Sequence, residues 1–125
     1  MEKKKILMID DDVDFTDLVK TKLEETGKYE VQVENHGSLG HHAAKTFKPD
    51  LILLDVSMPD MDGPQVAEQI RDDKDIKDTP VVFLTSIVNE EDIDTRSGMI
   101  GGRRFIPKTL SVQKILASIQ GIIGG

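Results

Sequence analysis

Leu51-Ile52-Leu53-Leu54-Asp55-Val56-Ser57-Met58-Pro59-Asp60-Met61-Asp62-Gly63 is the stretch that decides the fold. Its apolar run 51–54 has no polar alternation, the pattern of a strand buried on both faces, and it stops on a carboxylate. Residues 57–63 are rich in turn formers, and Pro64 then suits the first turn of a helix carrying Val66, Ala67 and Ile70. The start of the chain repeats the design, because Ile6-Leu7-Met8-Ile9 ends at Asp10-Asp11-Asp12. Doubly buried strands that end on acid and lead into helices predict a sheet covered on both sides.

The rest of the chain fits that plan. Phe15, Leu18, Val19 and Leu23 share a helical face, with Lys20, Lys22, Glu24 and Glu25 elsewhere and Gly27 as a stop signal. Tyr29, Val31 and Val33 alternate with Glu30, Gln32 and Glu34, the period of a half-buried strand near a sheet edge. A helix is predicted at about 38–47, where Leu39, Ala43, Ala44 and Phe47 share a face before Pro49 ends it. Pro80-Val81-Val82-Phe83-Leu84 makes a strand ending at Thr85-Ser86. A helix is predicted at about 89–99 on the apolar support of Ile93, Met99 and Ile100, followed by a short strand at Phe105-Ile106 that runs into Pro107-Lys108. Val112, Ile115, Leu116, Ile119 and Ile122 mark a closing helix that frays at Gly124-Gly125. Five strands alternating with five helices predict an α/β domain over residues 1–125, with a parallel sheet and no output segment after the last helix. Interior strands at 6–9, 51–54 and 81–84, with the alternating strand peripheral, are best met by the order 2-1-3-4-5 under the right-handed crossover rule.

Composition narrows the function. With 125 residues, 16 Lys plus Arg and 23 Asp plus Glu, the net charge is −7. The absence of Cys excludes disulfides, thiolate nucleophiles, Cys-based zinc sites and iron–sulfur clusters. No apolar run nears the ~20 residues that span a bilayer, and the stretch after Met1-Glu2-Lys3-Lys4-Lys5 is too short for a signal peptide. The expectation is a soluble, unprocessed cytoplasmic protein with no membrane contact. Direct nucleic-acid binding is not expected, since the summed field repels phosphate.

In sheets of this kind ligands bind beyond the carboxyl ends of the strands where the order reverses, here between the first and third. Asp10 and Asp11 follow the first strand, Asp55 the third, Thr85 the fourth and Lys108 the fifth. Two unit charges about 4 Å apart repel by roughly 1 kcal/mol in water and about 4 kcal/mol at an effective dielectric near 20. Converging carboxylates therefore call for a cation, and carboxylates with a backbone carbonyl and waters suit Mg²⁺. With its charge compensated, Asp55 can attack phosphorus to give an aspartyl phosphate. Thr85 would donate to one phosphoryl oxygen and Lys108 would pair with another. The plainer reading of Asp10-Asp11-Asp12 is capping of the first helix, and capping by Asp12 is compatible with metal binding by its neighbours. His36, His41 and His42 lack the spacing of a helical zinc site and read as a polar helix face.

Ile9-Asp10-Asp11-Asp12, Asp55 followed by Met58-Pro59-Asp60-Met61-Asp62-Gly63, Leu84-Thr85-Ser86 and Phe105-Ile106-Pro107-Lys108 together resemble the receiver domain of bacterial two-component response regulators, over the whole chain. The resemblance implies the flavodoxin-like receiver fold and a phosphoacceptor that assists its own phosphorylation and dephosphorylation but is not otherwise an enzyme. Asp55 would take its phosphoryl group from a sensor histidine kinase, a histidine phosphotransferase or a small donor such as acetyl phosphate. Asp11, Asp55 and the backbone carbonyl of Ser57 would ligate Mg²⁺ directly, with Asp10 nearby and acting through water. Thr85 and Lys108 would hold phosphoryl oxygens. Phe105 matches the switch aromatic, so the face built from the fourth helix, the fifth strand and the closing helix would report phosphorylation to a downstream protein or through a phosphorylation-dependent dimer.

Several positions depart from the pattern. Thr109 follows Lys108 where the family commonly has Pro after a cis peptide bond; Phe105 lacks the hydroxyl of the commoner Tyr; and Gly101-Gly102 replaces Gly-Ala. Ser57 and Ile87 occupy positions that tune phosphoryl lifetime in the family. Two rival readings remain. One is a haloacid-dehalogenase-like phosphohydrolase, in which Asp10 is the nucleophile and Asp12 the general acid of Asp10-Asp11-Asp12-Val13. The other is a docking module that keeps the fold without phosphorylation.

Overall fold

The computed structural model describes residues 2–86, 99–100 and 103–124. Strand β1 (Lys4–Ile9) leads into α1 (Val13–Glu25), then β2 (Tyr29–Glu34), a 3₁₀ turn (Gly37–Leu39) and α2 (Gly40–Phe47). Strand β3 (Leu51–Asp55) precedes α3 (Gly63–Arg71) and β4 (Val81–Thr85). A short β5 (Met99–Ile100), β6 (Arg103–Pro107) and α4 (Val112–Ile123) complete the described elements. The sheet order is β2-β1-β3-β4-β6-β5, parallel throughout except for the β5–β6 pair. The expected parallel order 2-1-3-4-5 is thus present, with the strand around Phe105-Ile106 as its fifth member.

Two features differ from expectation. Met99 and Ile100 were expected to support a helix, but they pair antiparallel with Arg104 and Arg103. They form a two-residue strand, which single-sequence periodicity cannot separate from a helix end. The remainder of the helix expected at 89–99, together with Ile87, Gly101 and Gly102, lies outside the described residues, among which four α-helices are found. The helix expected at 38–47 is split, with a 3₁₀ turn over Gly37–Leu39 before α2.

Burial explains the two layers. Ile6, Met8, Leu51, Leu53, Val82 and Leu84 face Val19 and Leu23 of α1 and Ile115 and Ile119 of α4. Leu7, Ile9, Ile52, Leu54 and Phe83 face Ala43, Ala44 and Phe47 of α2 and Val66 and Ile70 of α3. Right-handed connections dictate this division, because β1 steps to β2 in one direction and β2 steps back past β1 to β3 in the other. That reversal leaves a crevice between the carboxyl ends of β1 and β3. No helix among the described residues is long and apolar enough to cross a membrane.

The local signals act where the sequence places them. Asp12 caps α1 by accepting from Phe15 N at 3.1 Å, and Gly27 follows α1 at φ 77°, a left-handed conformation that glycine adopts without a steric cost. Asp62 and Gln65 form a reciprocal capping box on α3, with Gln65 N donating to Asp62 Oδ1 at 2.9 Å and Asp62 N to Gln65 Oε1 at 3.1 Å.

Candidate functional site

Four strand ends deliver the site. Asp10 follows β1 and Asp55 closes β3, so the β1–β3 pairing (Ile9 opposite Leu54) sets them side by side at the switch point. Thr85 closes β4 one strand over, with Leu84 opposite Asp55, and Lys108 follows β6, whose Pro107 lies opposite Thr85. Ligand atoms of Asp10, Asp11 and Asp55 all lie within 4.8 Å of one another. A cleft of about 260 Å³ opens over this edge, lined by Asp11, Asp12, Asp55, Ser57, Thr85 and Lys108 among others. Asp10, Thr85 and Asp55 are buried, at 0%, 3% and 6% exposure, whereas Asp11 and Ser57 face solvent. A polar group buried at the end of an apolar strand costs free energy unless something answers it, and here the answer is mutual.

Lys108 is the main answer. Its Nζ lies 2.9 Å from Asp10 Oδ2 and donates to Oδ1 at 3.1 Å, and it stands 4.0 Å from Asp55 Oδ2. Burial works to lower the ammonium, but the hydrogen bond and charge of Asp10, with Asp55 and Asp12 behind them, hold it above its ordinary value. Nζ also stands over the ring of Phe15, 4.8 Å from its centroid. All described peptide bonds are trans, including the one before Thr109, and Lys108 N donates to Thr85 O at 2.8 Å. The amine therefore reaches the acidic cluster without the proline that usually follows it.

Asp55 carries the opposite electrostatic signature. Burial first, and then the negative charge of Asp10, push its carboxyl from 3.8 up to about 7, against the pull of Lys108 and the amide of Ser57. One ammonium does not balance three carboxylates. Asp10 is fully buried and its Oδ2 is met by the Lys108 ammonium, which leaves Asp11 and Asp55 without a close cation of their own among the described residues. The acid-only donor set of Asp10, Asp11 and Asp55 and the exposed Ser57 beside it fit a hard divalent cation such as Mg²⁺. They do not fit a zinc site, which would recruit imidazole or thiolate.

Packing behind Asp55 fixes where it points. Gly63 N donates to Val56 O at 2.8 Å, and a Cβ on Gly63 would collide with the Asp55 carbonyl oxygen and come within 2.9 Å of Val56 Cα. Backbone cannot yield as a flexible side chain can. Gly63→Ala should therefore cost about 1–3 kcal/mol by over-packing, seen as a lower urea midpoint with an unchanged slope.

The structure gathers Asp10, Asp11, Asp55, Ser57, Thr85 and Lys108 as expected from sequence. Phe105 stands apart, half-buried on β6 and stacked on Phe83 with ring centroids 5.3 Å apart. The histidines form no metal site among the described residues: His36 Nδ1 lies 3.3 Å from Glu34, and His41 Nε2 lies 2.8 Å from Asp73. Arg103 and Arg104 do not form an open sheet edge, since β5 pairs with them. Sequence reasoning missed Phe15 under the ammonium, because helical spacing marks it only as a core residue. It also missed Asn35 and Asp60, whose contacts span 25 residues and 22–23 residues.

The sequence profile of the family described as response regulator receiver domain matches residues 6–120. The chain is 34% identical over 119 residues to the DNA-binding dual master transcriptional regulator RpaA of Synechocystis, covering 95% of this chain and 48% of that protein. It is also 34% identical over 121 residues to the alkaline phosphatase synthesis transcriptional regulatory protein PhoP of Bacillus subtilis, covering 96% and 48%. Among solved structures it resembles the chemotaxis protein CheY4 of Vibrio cholerae, with a TM-score of 0.80, 26% identity, and coverage of 97% and 99%. The chain spans about half the length of the curated relatives it matches.

Proposed function

This chain belongs to the response regulator receiver domain family, and from that premise we propose that Asp55 is its phosphoacceptor, served by Mg²⁺ and by Thr85 and Lys108. The observation that carries the reading is the gathering of Asp10, Asp11 and Asp55 within 4.8 Å beneath Lys108. Asp11, Asp55 and the backbone carbonyl of Ser57 are the groups that would hold the ion directly, with Asp10 acting through water. When bound, Mg²⁺ offsets the carboxylate charge and draws phosphoryl oxygens to the cleft.

The chain's own groups do the rest. An Asp55 carboxylate oxygen forms a bond to phosphorus while the phosphorus–nitrogen bond of a donor phosphohistidine breaks, and the electron pair leaves with the imidazole. Lys108, held protonated by its acidic neighbours, can turn from Asp10 toward a phosphoryl oxygen. Thr85 at the end of β4 supplies a hydroxyl to another. Donors are a sensor histidine kinase, a histidine phosphotransferase or acetyl phosphate.

Thr85 and Phe105 form the switch pair in this reading. They sit on adjacent strands, with Phe83 of β4 directly opposite and stacked on Phe105, so a shift at Thr85 has a packed route to β6 and α4. The partner is a downstream protein or a second copy of the chain. Inverting such a switch from 1:99 to 99:1 needs about 5.5 kcal/mol of differential binding. The net charge of −7 argues against direct nucleic-acid contact by this domain, and the DNA binding named for RpaA is that protein's property.

The phosphohydrolase alternative loses its residues to other tasks, because Asp12 is spent on the α1 cap and Asp10 is closed off beneath Lys108. Incubation with acetyl phosphate should add one phosphoryl mass to the intact chain when Mg²⁺ is present and none when it is chelated. Absence of any gain across donors would instead support the docking-module reading.

A further inference from the structure

The turn after β2 touches both acid-bearing loops. On one side Asn35 Nδ2 donates to the backbone carbonyl of Asp10 at 2.7 Å and lies 3.3 Å from Thr16 Oγ1. On the other side Asp60 accepts from Gly37 N at 3.1 Å, Ser38 N at 2.9 Å and Ser38 Oγ at 2.7 Å. The 3₁₀ turn at Gly37–Leu39 has no side-chain cap of its own from His36, so Asp60 caps it from a different loop. These bonds hold the Asp60 carboxyl near 2, first through the Ser38 amide and then its hydroxyl.

Close packing reinforces the clip. A Cβ on Gly37 would collide with the Met61 carbonyl oxygen and stand 3.0 Å from Met58 Cε, so the turn and the loop after Asp55 meet backbone to backbone. Met58 is itself buried among Leu7, Ile9, Leu54 and Phe83. Residues 35–38 thus connect the Asp10-Asp11 half of the acidic cluster to the Asp55-Ser57 half, without contributing a ligand atom.

We propose that Asn35 and Asp60 are positioning residues that set the spacing between the two halves of the metal and phosphoryl site. The proposal rests on the reading of that site as a Mg²⁺ site. Metal affinity depends steeply on such outer contacts, since a ligand free to drift must be ordered again on binding. Asp60 is exposed and Asn35 lies at a strand end, so neither supplies core packing.

The test is a calorimetric Mg²⁺ titration of the full chain and of Asp60→Ala, Asn35→Ala and Ser38→Gly, paired with thermal melts and amide exchange without metal. Asp60→Ala and Asn35→Ala should each weaken Mg²⁺ binding by about tenfold, and Asp60→Ala should speed exchange at Gly37 and Ser38. Ile119→Val, a core change on the other face of the sheet, serves as the structural comparison, and Asp60→Asn, which keeps one acceptor oxygen, should recover part of the affinity. Because Asp60→Ala and Ser38→Gly break the same clip, the double variant should be little worse than Asp60→Ala alone. Mg²⁺ affinity unchanged in both Asn35→Ala and Asp60→Ala overturns the proposal. So does a loss that merely tracks the fall in melting temperature across all variants, Ile119→Val included. Failure of the unmodified chain to bind Mg²⁺ would instead defeat the reading of the site on which the proposal rests.

Discussion

Asp55→Asn is expected to remove phosphoryl labelling completely and, at neutral pH, to make the protein more stable. The second effect follows from the first group's surroundings. Asp55 is held at about 7, against 3.8 when free, by burial and by the charge of Asp10. Between those values the folded state binds more protons than the unfolded one, so stability falls as pH rises from about 4 and the penalty is complete above about 7. An amide of the same shape carries no charge, and the gain should be on the order of 1–3 kcal/mol for a like-charge pair partly offset by Lys108. Urea melts at several pH values check this. The variant and the unmodified chain should converge near pH 4 and separate toward neutrality, and saturating Mg²⁺ should stabilise the unmodified chain more than the variant. Unfolding of Asp55→Asn, or a gap that widens toward acid, would contradict the account.

Lys108→Ala should be the most damaging single change at the site. Asp10 is fully buried, and its charge is met chiefly by the Lys108 ammonium, with Asp12 N donating to Oδ1 at 2.9 Å. Removing one partner of a buried pair leaves the other uncompensated, which costs about 3–5 kcal/mol. The loss should be read at neutral pH in denaturant. The double change Asp10→Asn with Lys108→Met should recover much of it, because neither charge is then stranded. A cost for Lys108→Ala no larger than that of an exposed ion pair, about 0.2–1 kcal/mol, would show that Asp10 does not depend on this ammonium.

Much of this was legible in the chain because burial and chemistry are written in the same residues. Runs such as Ile6–Ile9 and Leu51–Leu54 have no polar face to offer water, so they read as interior strands, and the acids that interrupt them mark strand ends. Parallel order then follows from handedness, and the order alone brings Asp10 and Asp55 together. The 29–34 strand was equally readable as peripheral through its alternation, and β2 lies at the edge of the sheet. Met99 and Ile100 were less readable, because two apolar residues fit a helix end or a ribbon equally well until a partner strand is known.

The site was legible as a set of residues but not as a network. Asp55, Thr85 and Lys108 are announced by position after strands. The loop residue Asp60 reads only as a turn former, yet it caps a helix turn 22 residues upstream of it. Asn35 similarly reads as a turn residue after β2, though it supports the Asp10 carbonyl. Long-range hydrogen bonds of this kind leave no period in a sequence. That the one ammonium sits on Asp10, with Asp55 4.0 Å away, likewise emerges only from distances.

The most direct measurement is to phosphorylate the chain with acetyl phosphate and Mg²⁺, reduce the acyl phosphate with borohydride, and locate the resulting homoserine by peptide mass mapping. The account predicts homoserine at position 55 alone. Homoserine at position 10, or at neither position in a folded chain that carries added phosphoryl mass, would contradict it.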